Sequence, residues 1–337
     1  MIEVKNLTKK YGAHVAVSDA DFLISEGEIV GFLGPNGAGK TTTMNIITGY
    51  LSASQGSVTI DGYDILEEPD EAKSRIGYLP EQPPLYMDMT VKEYLNFVYD
   101  LKRVKLPRGP HIEEICRLVK ISDVSRRLIK NLSKGYRQRV GIAQALIGNP
   151  DVLILDEPTV GLDPKQIIEI RTLIKHLGKN HTIILSSHIL SEVQAVCERV
   201  IVINKGEIIA DDTPDNLSKN LSEEHSLVAR IVGPEHEVLK TILSIKGVKS
   251  AVCAGPREGG FEYTIEPEGG ADVRAALFNR LADRRWPLIL LRTNQLTLEE
   301  IFLQLIESNG DSDILEKALK NRKTADTADE AENGDGG

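Results

Sequence analysis

Apolar residues in the first part of the chain follow two different spacings. Short apolar runs predict six strands, at residues 2–6, 16–24, 28–33, 152–155, 182–185 and 200–203. Between residues 90 and 148 the apolar side chains recur at helical spacing instead, as they do at residues 164–177. Continuous apolar strands that alternate with helices are typical of a mainly parallel sheet covered on both faces. The pattern therefore predicts an α/β core with a helical insertion.

A second pattern begins after the polar stretch at residues 218–225. It predicts strands at residues 226–232, 248–254, 261–265 and 288–291, and helices at 237–244 and 271–285. The order β-α-β-β-α-β predicts a ferredoxin-like α+β fold. A last helix is predicted from four apolar residues that share one face, Leu298, Ile301, Phe302 and Leu305.

The two patterns divide the 337-residue chain. Residues 1–216 are expected to form one domain with a helical subdomain at about 83–150, and residues 217–308 a smaller accessory domain. Residues 309–337 are expected to form an acidic disordered tail, because residues 326–337 contain five carboxylates and no Lys or Arg. The chain has 50 acidic and 40 basic side chains, and this net charge of −10 argues against nucleic-acid binding.

The apolar runs are too short for a membrane span, which requires about 20 consecutive apolar residues. The charged start of the sequence is not followed by the apolar segment of a signal peptide. Three cysteines, Cys116, Cys197 and Cys253, are scattered without metal-ligand spacing. These features predict a cytoplasmic protein that does not itself cross a membrane.

The clearest chemical motif is a glycine-rich loop that follows a predicted strand. It matches G-x-x-x-x-G-K-[ST] with the residues Gly34, Pro35, Asn36, Gly37, Ala38, Gly39, Lys40 and Thr41, which Thr42 follows. In such a loop, backbone N–H groups and a helix N-terminus surround a polyphosphate. Lys40 is expected to reach the terminal phosphates, and the Thr41 hydroxyl to bind Mg²⁺.

Two adjacent carboxylates, Asp156 and Glu157, follow the predicted strand at residues 152–155. Adjacent side chains of a strand point in opposite directions, so the two acids are expected to have different roles. Asp156 is expected to hold Mg²⁺, directly or through water. Glu157 is expected to orient and deprotonate the water that attacks the terminal phosphate.

These motifs and their order resemble the ATP-binding subunit of an ABC transporter over residues 1–216. The resemblance implies a P-loop NTPase of the ABC ATPase type that binds ATP and Mg²⁺. It also implies that Tyr11 stacks on adenine and that Gln82 contacts Mg²⁺. His188 would sense the γ-phosphate and support the transition state, and Asp163 would lie in a loop that meets the opposite subunit.

The family signature is usually L-S-G-G-Q, and this chain has Leu132-Ser-Lys-Gly-Tyr136. Ser133 and Gly135, which the resemblance identifies as γ-phosphate contacts, match the family, whereas Lys134 and Tyr136 depart from it. The anion contact uses a hydroxyl, backbone N–H groups and a helix start, and all three are retained. In this family each ATP lies between the phosphate loop of one subunit and the signature of another. The resemblance therefore implies a homodimer with two composite ATP sites.

The resemblance also implies a membrane partner, an integral permease subunit. Its docking groove is expected at residues 83–90, where Leu85, Tyr86 and Met87 are suited to an exposed apolar surface. The predicted function is therefore ATP hydrolysis that energises a separate permease, with the subunit peripheral on the inner face of the cell membrane. The chain's end resembles exporter-type subunits, among them gliding motility-associated ATP-binding proteins.

Two other functions compete with the prediction of a transport ATPase. The alternative is a non-transport ABC ATPase that acts on ribosomes or DNA, but such proteins typically carry two cassettes in tandem or a long coiled-coil insertion, and this sequence has neither. A P-loop kinase is disfavoured because those enzymes do not carry the signature or the element that contains His188.

Overall fold

The computed structural model describes residues 1–214, 216–217 and 226–294, and the chain divides into two compact units after Pro214. All motif residues of the predicted nucleotide site belong to the first unit, Met1–Pro214. Three predicted features lie outside the described residues: the polar linker at 218–225, the helix that contains residues 298–305, and the acidic tail at 309–337.

A six-stranded sheet forms the centre of the first unit. In spatial order its strands are β10 (Glu207–Asp212), β9 (Arg199–Asn204), β3 (Ile29–Leu33), β8 (Thr182–Ser187), β7 (Val152–Asp156) and β6 (Ile76–Leu79). All neighbours are parallel except β10 and β9. Every residue of β3, β7 and β8 is buried. Burial on both faces explains their unbroken apolar runs and confirms the predicted, mainly parallel sheet.

A second, antiparallel sheet packs against the central sheet. Its spatial order is β2 (His14–Ile24), β1 (Ile2–Tyr11), β4 (Gln55–Ile60) and β5 (Tyr63–Asp64). Apolar side chains from both sheets form one buried cluster, in which the rings of Phe22 and Phe32 lie 5.7 Å apart. The strands predicted at residues 2–6 and 16–24 belong to this separate sheet. Buried residues alternate along them with partly exposed polar ones, as is common in an antiparallel sheet that has one face covered.

Seven helices are described in the first unit. They are α1 (Lys40–Ile47), α2 (Pro69–Ser74), α3 (Val91–Leu101), α4 (Arg108–Leu118), α5 (Lys134–Leu146), α6 (Pro164–Leu177) and α7 (Leu190–Gln194). The predicted helical stretch at 90–148 contains α3, α4 and α5. Thr90 begins α3 with a reciprocal capping box to Glu93, which satisfies two backbone N–H groups at this helix start. Within the described part of the chain, no helix combines the length and the apolar character needed to cross a membrane.

The second unit has the predicted β-α-β-β-α-β order. Its elements are β11 (Ser226–Ile231), a helix at Glu235–Leu243, β12 (Val248–Arg257), β13 (Gly260–Pro267), a helix at Arg274–Asp283 and β14 (Leu288–Asn294). The sheet order is β12-β13-β11-β14, and every pair is antiparallel. The two helices pack on one face of this sheet around the fully buried Tyr263. This arrangement is that of a ferredoxin-like fold.

Candidate functional site

Three neighbouring parallel strands, β3, β7 and β8, deliver the site residues. Because the strands are parallel and adjacent, their carboxyl ends meet at one edge of the sheet, where α/β proteins bind ligands. The glycine-rich loop follows β3, the carboxylates Asp156 and Glu157 stand at the end of β7, and His188 follows β8. The fold therefore brings together three segments that are far apart in sequence.

The glycine-rich loop folds into a tight cradle at the start of α1. Gly39 has a φ of 110°, and a Cβ at this position would lie 2.5 Å from the carbonyl oxygen of Ala16. A Cβ at Gly34 would lie 2.4 Å from the carbonyl oxygen of Ile203. Both positions therefore require glycine. No side chain caps the first turn of α1, so its free N–H groups suit an anion.

Lys40 is held inside this cradle. Its ammonium donates to the carbonyl oxygens of Gly34 at 2.8 Å and Pro35 at 3.2 Å, and lies 3.8 Å from the Glu157 carboxylate. Burial lowers the pKa of Lys40, and the nearby carboxylates, Glu157 first among them, oppose that shift. A buried cation held by carbonyl oxygens of its own loop and by one nearby carboxylate is well placed to turn to phosphate oxygens.

Asp156 is fully buried at the end of β7. The Ser186 hydroxyl donates to its Oδ1, whereas Oδ2 has no hydrogen-bond partner among the described residues. Burial raises the pKa of Asp156, and the hydroxyls of Ser186 and Thr41 oppose the shift. An unsatisfied buried carboxylate oxygen beside a threonine hydroxyl is a donor set that fits Mg²⁺.

Glu157 directly follows the last residue of β7. Its carboxylate oxygens lie 2.9 Å from Nδ1 of His188, and its side chain is almost fully buried. Its backbone has a φ of 48°, in the left-handed region that residues other than glycine seldom adopt. The Glu157 N–H donates to Ser186 at the end of β8, through both the carbonyl and the hydroxyl oxygen, at 3.2 Å each.

A cavity of about 630 Å³ opens over these groups. Its lining residues are Tyr11, His14, Ala16, Asn36, Gly37, Gly39, Lys40, Thr41, Thr42, Glu81, Glu157, Val160 and His188. Most of the predicted site residues of the loop and both predicted catalytic residues are in this set. Gly34, Pro35, Ala38 and Asp156 are not in this set. Tyr11 lies at the open rim, with the Lys9 ammonium 5.3 Å from its ring centre.

The segment after β6 carries two adjacent polar residues, Glu81 and Gln82. Both side chains are exposed, and Glu81 lines the cavity, whereas Gln82, which was predicted to contact Mg²⁺, does not. The Glu81 charge opposes the fall that burial causes in the pKa of Lys40, and it adds to the rise that burial causes in the pKa of Asp156. The Mg²⁺ contact of Gln82 therefore stays a prediction, and Glu81 is a second candidate on the same segment.

Ser133 and Gly135 of the signature lie at the start of α5, and Asp163 lies at the start of α6. Ser133 caps α5 by accepting from the Tyr136 N–H at 3.4 Å, and Asp163 caps α6 by accepting from the Gln166 N–H at 2.9 Å. A Cβ on the buried Gly135 would lie 2.5 Å from the Gln166 side-chain oxygen. None of Ser133, Gly135 and Asp163 lines the cavity.

The unusual residue of the signature, Lys134, lies against the loop that precedes α6. A Cβ on Gly161 would lie 1.9 Å from the Lys134 ammonium, and the φ of 69° at this position favours glycine. This contact joins the signature to the loop in which Asp163 was predicted to meet an opposite subunit.

Sequence reasoning missed several polar residues that support the site. Ser186 binds Asp156 and Glu157, and a buried cluster of Thr159, Ser187 and Glu192 lies beside them. The sequence offered one usable signal, the run Ser186-Ser187-His188 at the end of an apolar strand. Serines there provide hydroxyls on both faces of the sheet.

Comparison with known proteins identifies similar chains. A family model described as ABC transporter matches residues 17–160. The linearmycin resistance ATP-binding protein LnrL of Bacillus subtilis is 31% identical over 309 residues, which cover 90% of this chain and 98% of LnrL. The bacitracin transport ATP-binding protein BcrA of Bacillus licheniformis is 38% identical over 221 residues, covering 65% of this chain and 72% of BcrA.

A solved structure gives the same result for the fold. The dimeric, post-hydrolysis structure of the ATP-binding cassette MJ0796, bound to ADP and Pi, superposes with a TM-score of 0.58 at 29% identity. The match covers 63% of this chain and 98% of that cassette. The similarity is therefore to a whole cassette that has been seen as a dimer after hydrolysis.

Proposed function

Because this chain belongs to the ATP-binding subunits of the ABC transporter family, we propose that it works as a homodimer that energises a separate membrane permease. The chain binds ATP and is an ATPase, as the family is. We further propose that each ATP site is composite, that individual residues have the roles given below, and that the permease is an exporter.

One observation carries the proposal of a homodimer. The cavity beside the glycine-rich loop contains Lys40, Glu157 and His188 but neither Ser133 nor Gly135 of the signature. The signature nevertheless keeps the Ser133 hydroxyl, which accepts from the Tyr136 N–H and can still donate its own proton, at a helix start that suits an anion. If the signature of a second copy covers the cavity, each ATP contacts both chains. Two-fold symmetry then gives two equivalent sites.

Within each site, we assign the proton transfer to Glu157. Its carboxylate accepts the proton of the attacking water, and the His188 imidazole at 2.9 Å keeps that carboxylate in place. Lys40 donates to the phosphate oxygens on which negative charge develops. Phosphoryl transfer depends mainly on such positioning and on charge stabilisation, so the rigid placement of these three residues is the chain's contribution.

We assign Mg²⁺ to Thr41, which lines the cavity, and to Asp156, whose carboxylate interacts with the Thr41 hydroxyl. Asp156 has a buried oxygen without a described partner, and Glu81 adds a second carboxylate nearby. The ion supplies charge neutralisation for the phosphates when it is bound. Thr41 and Asp156 would hold it, with either Glu81 or the Gln82 that the family resemblance implies as a further contact.

The permease is proposed to dock on an exposed aromatic surface of the helical subdomain. Tyr86 is 52% exposed, and its ring lies 5.3 Å from that of Phe97 in an edge-to-face contact. Met87 is also exposed. Aromatic and methionine side chains on a surface suit a protein partner. Such docking would place the subunit at the membrane without a span of its own.

Transport out of the cell is the direction that the relatives favour. BcrA is named for bacitracin transport and LnrL for linearmycin resistance, and resistance to an antibiotic is commonly achieved by its removal. LnrL matches nearly all of this chain, the second unit included. The narrower resemblance to gliding motility-associated subunits stays a prediction.

A mixing experiment tests the composite site. Lys40→Ala removes the phosphate cation from one variant, and Ser133→Arg blocks the signature of another. Each variant alone should be inactive. Mixed in equal amounts they should recover about a quarter of the parent ATPase activity, because half of the dimers are mixed and each mixed dimer has one intact site. An activity that only equals the sum of the two variants would contradict the composite site.

A further inference from the structure

A buried carboxylate outside the nucleotide cavity connects the segments that carry Glu157 and His188. Glu192, on α7, is 4% exposed. It accepts a hydrogen bond from the Thr159 hydroxyl and one from the Ser187 hydroxyl at 3.4 Å, and its other oxygen lies 3.9 Å from the guanidinium of Arg171. Neither Glu192 nor its two hydroxyl partners line the cavity.

The two hydroxyl partners of Glu192 are close in sequence to Glu157 and His188. Thr159 stands two residues after Glu157, and Ser187 stands directly before His188. Arg171 belongs to α6, which begins just after the loop that contains Thr159. Glu192 is thus bonded to both segments that present the Glu157 and His188 side chains, and to the helix that follows one of them.

The backbone ladder between these segments extends no further than the Glu157 N–H, which donates to the Ser186 carbonyl oxygen. The pairing of β7 with β8 ends at Asp156 and Ser186. Beyond that pair, Glu157 turns into the left-handed region with a φ of 48°. A residue other than glycine persists in this conformation only when its surroundings hold it there. Two residues after this turn, the Thr159 hydroxyl donates a hydrogen bond to the Glu192 carboxylate and so ties the segment to α7.

A carboxylate is the group that this place requires. The groups around it, two hydroxyls and a guanidinium, are all donors, and an ionised carboxylate accepts without donating. Thr159 and Ser187 are themselves buried, so their hydroxyls have no access to water as a substitute partner. Loss of the carboxylate would leave buried donors unpaired on both segments at once.

We infer that Glu192 is a positioning residue that sets the distance between Glu157 and His188, and that it does so by holding Thr159 and Ser187. This inference rests on the proposed roles of Glu157 and His188. Because Glu192 does not face the cavity, it should govern the rate of hydrolysis and leave nucleotide binding unchanged.

A matched pair at Thr159 tests the bridge with little risk to folding. Thr159→Ser keeps the hydroxyl, whereas Thr159→Val keeps the shape and removes it. The valine variant should lose about tenfold or more in kcat with an unchanged KM, because a small misplacement of a reacting group has effects of this size. The serine variant should retain most of the parent kcat. Equal activities for the two variants, or a loss that appears in KM, would overturn the inference.

Substitutions of Glu192 in two backgrounds separate this inference from the proposed role of Glu157. In the parent, Glu192→Gln should lower kcat less than Glu192→Ala, since the amide keeps one acceptor oxygen. In the Glu157→Gln background neither should lower the residual rate further. Glu169→Gln is the control, because it removes a different ion pair of α6, that with Arg139, and should leave kcat unchanged.

The outcomes are distinguishable. If Glu157→Gln remains active, the proposed role of Glu157 fails. If Glu157→Gln is inactive but both Glu192 variants of the parent turn over ATP normally while remaining folded by circular dichroism, only the inference about Glu192 fails. A further fall of the residual rate in the Glu157→Gln background would also overturn it, since Glu192 would then act independently of Glu157.

Discussion

His188 places its Nδ1 2.9 Å from each carboxylate oxygen of Glu157. The two residues follow adjacent parallel strands, and their side chains meet just beyond the last paired residues of those strands, Asp156 and Ser186. One imidazole N–H shared between two carboxylate oxygens centres the ring on the acid. The two side chains therefore form one hydrogen-bonded unit.

The first prediction concerns the acid of this pair. Glu157→Gln keeps the shape of the side chain but cannot accept the proton of water, so turnover should fall by about 100-fold or more. ATP should still bind, and the dimer should persist once formed. ATPase assays and light scattering with and without ATP measure both effects. Glu198 is an exposed carboxylate that does not line the cavity, so Glu198→Gln is the control. A Glu157→Gln protein that stays monomeric and turns over ATP normally would contradict the assignment.

The second prediction distinguishes two adjacent residues, Glu81 and Gln82. Only Glu81 lines the cavity, so Glu81→Ala should raise the Mg²⁺ concentration needed for half-maximal turnover by about tenfold. If Glu81 supplies the contact, Gln82→Ala should change it by less than about twofold, because Gln82 does not line the cavity. A magnesium titration of the ATPase rate at saturating ATP decides between them. The opposite order would assign the metal contact to Gln82.

The third prediction is a pH dependence of Mg²⁺ binding. Burial raises the pKa of Asp156, so as pH falls this carboxylate takes up a proton before an ordinary aspartate does. Because Mg²⁺ binds the ionised form, its apparent affinity should weaken with falling pH, by at most about tenfold for each pH unit. Asp156→Asn should bind Mg²⁺ weakly and show only the titration of ATP itself. Identical pH profiles for the two proteins would argue against Asp156 as a ligand.

The fourth prediction tests the proposed permease surface. Tyr86→Ala should leave the ATPase activity of the isolated protein unchanged and reduce its recovery with membranes that contain the permease, since exposed aromatic side chains commonly anchor interfaces. Tyr50 is more exposed, at 78%, but lies outside residues 83–90, so Tyr50→Ala is the matched control. Sedimentation with membranes from cells that express both subunits measures the effect. Equal loss from both variants would place the docking surface elsewhere.

Much of the site follows from local sequence. The loop from Gly34 to Thr41 could be predicted because a phosphate cradle needs glycine and lysine at fixed spacing after a strand. Asp156 and Glu157 could be given different roles because neighbouring side chains of a strand diverge. The second unit could be predicted from the order of its apolar runs alone.

Other features could not be predicted locally. Glu81 and Gln82 are both polar and lie outside regular structure, so no periodicity says which one faces the cavity. The two-sheet division of the early strands depends on which outer face is covered. Glu192 lies 33 positions from Thr159, and nothing in the sequence between them indicates their contact.

The sequence by itself determined the family, the chemistry of the site and the set of segments that build it, because phosphate binding and proton transfer require particular residue types at short, fixed spacings. Only the tertiary structure decided which side chains support those residues. It directed Glu81 into the cavity, laid Lys134 against Gly161, and joined the Glu157 and His188 segments through Glu192. The physical reason is that side-chain direction in irregular segments, and hydrogen bonds between distant ones, are set by packing and not by local propensity.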